Sequence, residues 1–114
     1  MKVTGIGGVF FRAKDPSALT DWYEKQLGID GMEWAQEQGQ TVFAPFPADT
    51  EYFGSASQQF MLNLRVDDLD GMLAQLKTNG VKVVKDVEEQ AGVGRFASIE
   101  DPEGNRIELW EPAD

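Results

Sequence analysis

The chain contains no cysteine and no histidine. Without cysteine there are no disulfides, no thiolate nucleophiles and no zinc-finger sites. Without histidine there is no Ser-His-Asp triad and no His-ligated iron or zinc. Nor is there a side chain whose ordinary titration falls near neutral pH. Any acid–base chemistry therefore falls to carboxylates, lysines or tyrosines. Bases are scarce as well: 10 Lys and Arg stand against 20 Asp and Glu, for a formal net charge of −10. That balance argues against nucleic acid and against an anionic membrane surface as partners. No apolar run approaches the length of a membrane span, and the first residues lack the apolar core of a signal peptide. The default expectation is a cytoplasmic location.

What is present is ordinary for a folded domain. The 114 residues are 41% hydrophobic and 26% charged, which fits one domain with a real core. A repeat runs through it. "FRAKDPSALTDWYEKQLGI" from Phe11 is echoed by "LRVDDLDGMLAQLKTNGV" from Leu64, so that Arg12 maps onto Arg65, Asp15 onto Asp68, Leu19 onto Met72 and Tyr23 onto Leu76. A period near half the chain length implies two copies of one supersecondary unit. The modules span about 1–57 and about 58–114.

Each copy opens with a strand of period-2 pattern. In the first, Val9, Phe11 and Ala13 oppose Gly8, Phe10 and Arg12. In the second, Leu62, Leu64 and Val66 oppose Met61, Asn63 and Arg65. A helix follows in each. Asp15 caps the first, with Pro16 at its first position, and Leu19, Trp22, Tyr23, Gln26 and Leu27 form its stripe before Gly28 stops it. Asp67 or Asp68 caps the second, with Leu69, Met72, Leu73 and Leu76 as its stripe and Gly80 as its stop. These helices are expected near 16–27 and 69–79. Further strands are expected at 81–87, 94–100 and 106–111, with "DPEGN" turning between the last two. In the first copy, Gly31–Gln36 and Gln40–Phe46 read as strands and "PADTEYFGSASQQ" as a loop. Each unit is roughly β-α-β-β-β.

That order, with "KDPSALTDWYEKQLGI" and the closing "DPEGNRIELWEP", resembles the vicinal oxygen chelate superfamily of glyoxalase I, bleomycin- and fosfomycin-resistance proteins and extradiol dioxygenases. The resemblance covers essentially the whole chain. It implies an α+β fold in which two βαβββ modules form a half-open barrel, usually completed in a homodimer. It also implies where a metal would be held. The first-strand ligand position falls on Gly8, its repeat equivalent on Met61, one carboxylate position in the loop around Tyr52, and the last on Glu108. Only Glu108 keeps a suitable donor, so neither a metal nor another cofactor is expected.

Strand parity places Arg106, Glu108 and Trp110 on one face. The faces counted from Gly8 and Met61 carry Phe10 and Arg12, and Asn63 and Arg65. The expected cleft thus holds Glu108 as the one candidate catalytic acid. Phe10, Arg12, Asn63, Arg65, Arg106 and Trp110 are its ligand-binding candidates. Two readings of the arginines stay open: they neutralise Glu108, or they grip a carboxylate or phosphate. For Glu108 the favoured partner is Arg65 or Arg12, and the alternative is a general base. The leading functional reading is a metal-independent protein that binds a small, anionic and partly apolar molecule. A glyoxalase-like lyase, an isomerase or a dioxygenase-related enzyme is the alternative, and a regulatory module without chemistry is the third.

Overall fold

Both helices form where their caps place them in the computed structural model, which describes residues 1–114. Helix α1 spans Pro16–Leu27, and the Asp15 carboxylate accepts from the Ala18 N–H. Helix α2 spans Leu69–Thr78, and Asp68 accepts from the Gly71 N–H. The two caps occupy the same place in the repeat and do the same work: each satisfies a first-turn N–H that has no partner within the helix. Gly28 ends α1 in the left-handed conformation, at φ 70°.

The strands belong to the second half of the chain. They are β1 (Leu62–Arg65), β2 (Lys82–Gln90), β3 (Gly94–Glu100) and β4 (Arg106–Pro112), in the order β1-β4-β3-β2. β1 runs parallel to β4, whereas β3 is antiparallel to both of its neighbours. The architecture is an α+β fold on a mixed sheet that does not close. One face of the sheet packs against the helices. Ile107 and Leu109 of β4 and Ala97 and Ile99 of β3 join Leu19 and Tyr23 of α1 and Leu69, Leu73 and Leu76 of α2 in one buried core. Alternation along β4 sends Glu108 and Trp110 to the opposite face.

The strands expected at Gly8–Ala13, Gly31–Gln36 and Gln40–Phe46 are not formed; outside α1 the first 61 residues contain no strand. A strand is stable only when its N–H and C=O groups find a neighbour. β1 is hydrogen-bonded to β4 on one side, and its other edge has no strand beside it. The apolar side chains of the first half are left uncovered as a result. Val3, Ile6, Phe10, Phe11 and Phe43 are all exposed.

The "DPEGN" turn joins the two halves. Asp101 is buried and accepts from the Tyr23 hydroxyl at 2.7 Å and from the backbone of Glu103 and Asn105 at 2.8 and 3.0 Å. The Asn105 side-chain amide adds a further bond to it at 2.8 Å. Glu103 then reaches back to accept from the N–H groups of Lys14 and Asp15, at 2.6 and 3.0 Å, just ahead of α1. Negative charge at a helix N-terminus is favourable, so one turn both folds on itself and fixes the start of a helix from the far end of the sequence.

Candidate functional site

The face of the sheet away from the helices carries the polar side chains. Parallel pairing sets Asn63 beside Glu108 and Arg65 beside Trp110, and antiparallel pairing sets Phe96 beside Trp110 and Ser98 beside Glu108. Glu108 is only 7% exposed. Its Oε1 accepts from the Asn63 side-chain amide at 2.7 Å, and its Oε2 accepts from the Tyr52 hydroxyl. A buried carboxylate needs such donors, because removal from water is costly unless its lone pairs are satisfied.

The expected arginine partner is therefore corrected. No ion pair joins Glu108 to Arg12 or Arg65. Arg65 donates instead to the backbone carbonyls of Gln40 and Glu37, at 2.6 and 2.9 Å. Its long side chain reaches an irregular loop whose carbonyls have no strand partner, and those carbonyls take it. Arg12 is exposed and borders a separate hollow with Lys14, Glu103 and Asn105. Phe10 borders the main cleft but is 95% exposed.

Arg106 does lie beside Glu108. Its Nη1 donates to the Tyr52 carbonyl at 3.3 Å, and its Nε is buried with no partner. Trp110 stacks parallel to Phe96, with ring centroids 6.1 Å apart and planes 3° from parallel. The indole N–H donates to the Val93 carbonyl at 3.0 Å. This packing requires glycine at position 94, where a Cβ would fall 2.7 Å from the indole nitrogen and 2.3 Å from the Glu111 carbonyl.

Sequence reasoning missed Tyr52, Phe96, Lys85 and Gln58. Tyr52 and Gln58 come from the loop expected between the modules, which crosses over β4. The Gln58 side-chain amide accepts from the Arg106 N–H at 2.8 Å and donates to the Arg106 carbonyl at 2.9 Å, imitating one rung of a sheet. The Tyr52 ring stacks on Phe46 at 5.9 Å, and the Lys85 ammonium sits 5.2 Å from its centroid. Lys85 lies where β2 shifts register against β3, an irregularity of the kind that re-aims a side chain. Burial and the neighbouring Glu108 carboxylate push the Tyr52 hydroxyl well above the usual phenol range, with Glu88 adding to the shift and Arg106 opposing it. Tyr52 thus stays protonated as a donor. The signal for it was indirect: the resemblance puts a ligand carboxylate in the loop around this residue.

Gly8 and Met61 lie outside the strands, and no trio of Asp, Glu, His or Cys converges anywhere. The open space bordered by the sheet's polar face, residues 34–60, residues 6–10 and parts of both helices is about 2460 Å³. That is well beyond the roughly 300–1,000 Å³ of small-molecule sites.

Comparison with known proteins agrees with this geometry. The family described as Glyoxalase/Bleomycin resistance protein/Dioxygenase superfamily matches residues 5–109. No curated protein matches the sequence significantly. Among solved structures, TnmS3, an antibiotic binding protein from Streptomyces sp. CB03234, is 26% identical over 99% of each chain, with a TM-score of 0.68. A superfamily member from Sphaerobacter thermophilus DSM 20745 is 19% identical over 96% of this chain and 98% of its own, with a TM-score of 0.63. A protein from the mobile metagenome of V. Pseudocholerae is 22% identical over 100% of this chain and 98% of its own, also at 0.63.

Proposed function

The chain belongs to the Glyoxalase/Bleomycin resistance protein/Dioxygenase superfamily, and from that premise we propose that it binds a small, partly apolar molecule without a metal, as a sequestering protein. The observation that carries this reading is the state of Glu108. Both of its oxygens are engaged by protein donors, beside the stacked rings of Phe96 and Trp110. The residues around it do not fit a divalent metal. Gly8 has no donor atom, the Met61 thioether suits soft metals, and one carboxylate is a poor site for zinc, manganese or iron. The metal-dependent lyase and dioxygenase alternatives therefore lack their donor set. The likeness to an antibiotic binding protein supports the sequestering reading.

Trp110 and Phe96 form the apolar wall, Asn63 and Glu108 the polar floor. The Nε of Arg106 is buried beneath Gly54 and has no partner, so it is not offered to a ligand while residues 52–58 stay in place. Arg65 fastens the 37–40 loop over the same face. We also infer a homodimer built from two modules per chain. A second copy would cover the exposed first-half apolar residues and reduce the oversized cleft to ligand dimensions.

Titration of a panel of aromatic antibiotics and aryl carboxylates, followed by tryptophan fluorescence and calorimetry, tests the reading. At least one class binds in the micromolar range, EDTA leaves the affinity unchanged, and Trp110→Ala weakens it by about tenfold or more, the scale of one lost aromatic contact. Binding that requires an added metal overturns it, as does binding indifferent to Trp110. Light scattering at micromolar concentration gives twice the 12.6 kDa chain mass if the dimer is right.

A further inference from the structure

The Glu108 carboxylate faces a cleft, yet a side chain of the same molecule already occupies it. Tyr52 presents a phenol to Glu108, with the Lys85 ammonium on its ring and Phe46 stacked against it. The segment that brings it there, residues 52–58, is tied to the sheet at its two ends, with Phe53 packed on Phe46. Tyr52 is tied by its carbonyl to Arg106, and Gln58 by its amide to the Arg106 backbone. Between them Gly54, Ser55, Ala56 and Ser57 are small and exposed. Gly54 turns at φ 85° and rides directly over the guanidinium, where a Cβ would meet Arg106 Nε at 3.2 Å. That same Nε is the buried polar atom without a partner. With the segment in place, Glu108 is satisfied and Arg106 is not, so the closed arrangement leaves an unmet demand beneath it.

We propose that Tyr52 is a built-in competitor for the Glu108 site, and that ligands bearing an aryl hydroxyl bind by displacing it. The inference rests on the small-molecule reading of this cleft and names the ligand chemistry. An aryl hydroxyl inherits the contacts that Tyr52 now makes: it donates a hydrogen bond to Glu108, Lys85 lies over its ring and Phe46 flanks its face. Displacement also uncovers Arg106 Nε, which a carbonyl or a water molecule can then reach. Tyr52 is thus a specificity-determining residue, because its own chemistry sets what a ligand must match in order to replace it. A ligand without a hydroxyl leaves the Glu108 carboxylate buried and short of a donor.

The probes are p-cresol, which reproduces the tyrosine side chain, and toluene, which lacks the hydroxyl. Calorimetry of wild type and Tyr52→Phe compares them with the ring retained and only the competing hydroxyl gone. Affinity for p-cresol rises about tenfold in Tyr52→Phe, the equivalent of about 1.4 kcal/mol for a hydrogen bond that no longer has to be broken. Affinity for toluene changes much less. In Tyr52→Ala, p-cresol raises the melting temperature more than toluene does, and adding Glu108→Gln removes the difference. Unchanged or weaker p-cresol binding in Tyr52→Phe overturns the proposal, and so does an equal response to both probes in Tyr52→Ala. If the antibiotic panel still binds through Trp110 in either of these cases, the small-molecule reading survives and only the competitor role falls. If neither panel nor probes bind any of these proteins, both fall together.

Discussion

The two halves of the chain start from one pattern and end differently. Both contain an Asp-capped helix with an apolar stripe, at the same place in the repeat. In the second half that helix lies against its own strands, and the residues between sheet and helix are fully buried. In the first half the helix has no strands of its own and borrows the second half's core through Leu19 and Tyr23. A supersecondary unit can thus be written clearly in sequence without being self-sufficient. A helix satisfies its backbone internally, whereas a strand depends on a neighbour that must come from elsewhere.

The most disruptive test of this contrast is truncation of the shared core. Leu109 is fully buried, so Leu109→Ala costs about 2–5 kcal/mol. Phe43 is 89% exposed, so Phe43→Ala leaves the stability of isolated chains nearly unchanged, and under the proposed dimer it acts on self-association instead. Urea denaturation at low and high protein concentration separates the two. Equal losses at both sites, independent of concentration, would erase the distinction between the halves.

Next in size is the link between them. Tyr23→Phe leaves Asp101 without its hydroxyl donor, for a loss of about 1–3 kcal/mol. Burial and the Asp101 carboxylate push the Tyr23 hydroxyl far above its ordinary value near 10. Its folded-state value is raised, so its contribution is complete below about pH 10 and is lost as the pH climbs above that point. Melting temperatures measured from pH 8 to 11.5 should fall most steeply above pH 10, and less steeply in Tyr23→Phe. A wild type with a flat profile across that range would remove the Tyr23 bond from the account.

The smallest effect sharpens the likeness of the two helices. Asp15→Ala and Asp68→Ala each cost about 1 kcal/mol, the usual worth of an N-cap. Glu103 also accepts from the Asp15 N–H and Glu111 from the Leu69 N–H, contacts that survive either substitution. The two changes are therefore of similar size in thermal melts, and a loss at one helix alone would break the likeness.

Local signals were legible and non-local ones were not. Asp15, Asp68, Gly28 and the apolar stripes announce the helices because capping and periodicity act within a few residues. The "DPEGN" turn announces β3 and β4 for the same reason. Strand parity also put Asn63, Glu108 and Trp110 together correctly, because alternation survives whatever the neighbouring strands do. It set Arg65 on that face as well, but not its partner, because the reach of that side chain let it find loop carbonyls. It had no purchase on Tyr52, whose position depends on an irregular crossing and not on any period. For the first-half strands, alternation and apolarity were present, yet these segments pair neither with one another nor with the free edge of β1.

The knot of bonds around Asp101 has a bearing on how the chain is made. Tyr23 and Asp101 are 78 residues apart, and Glu103 meets the backbone of Lys14 from 89 residues away. A ribosome adding roughly 5–20 residues per second delivers α1 about 4–16 seconds before the turn that secures it. Throughout that interval the first third of the protein is translated, apolar and unanchored. Its docking waits for residue 101, so a nascent chain halted before that point leaves the buried face of α1 uncovered and has more need of a chaperone than one in which the turn has formed.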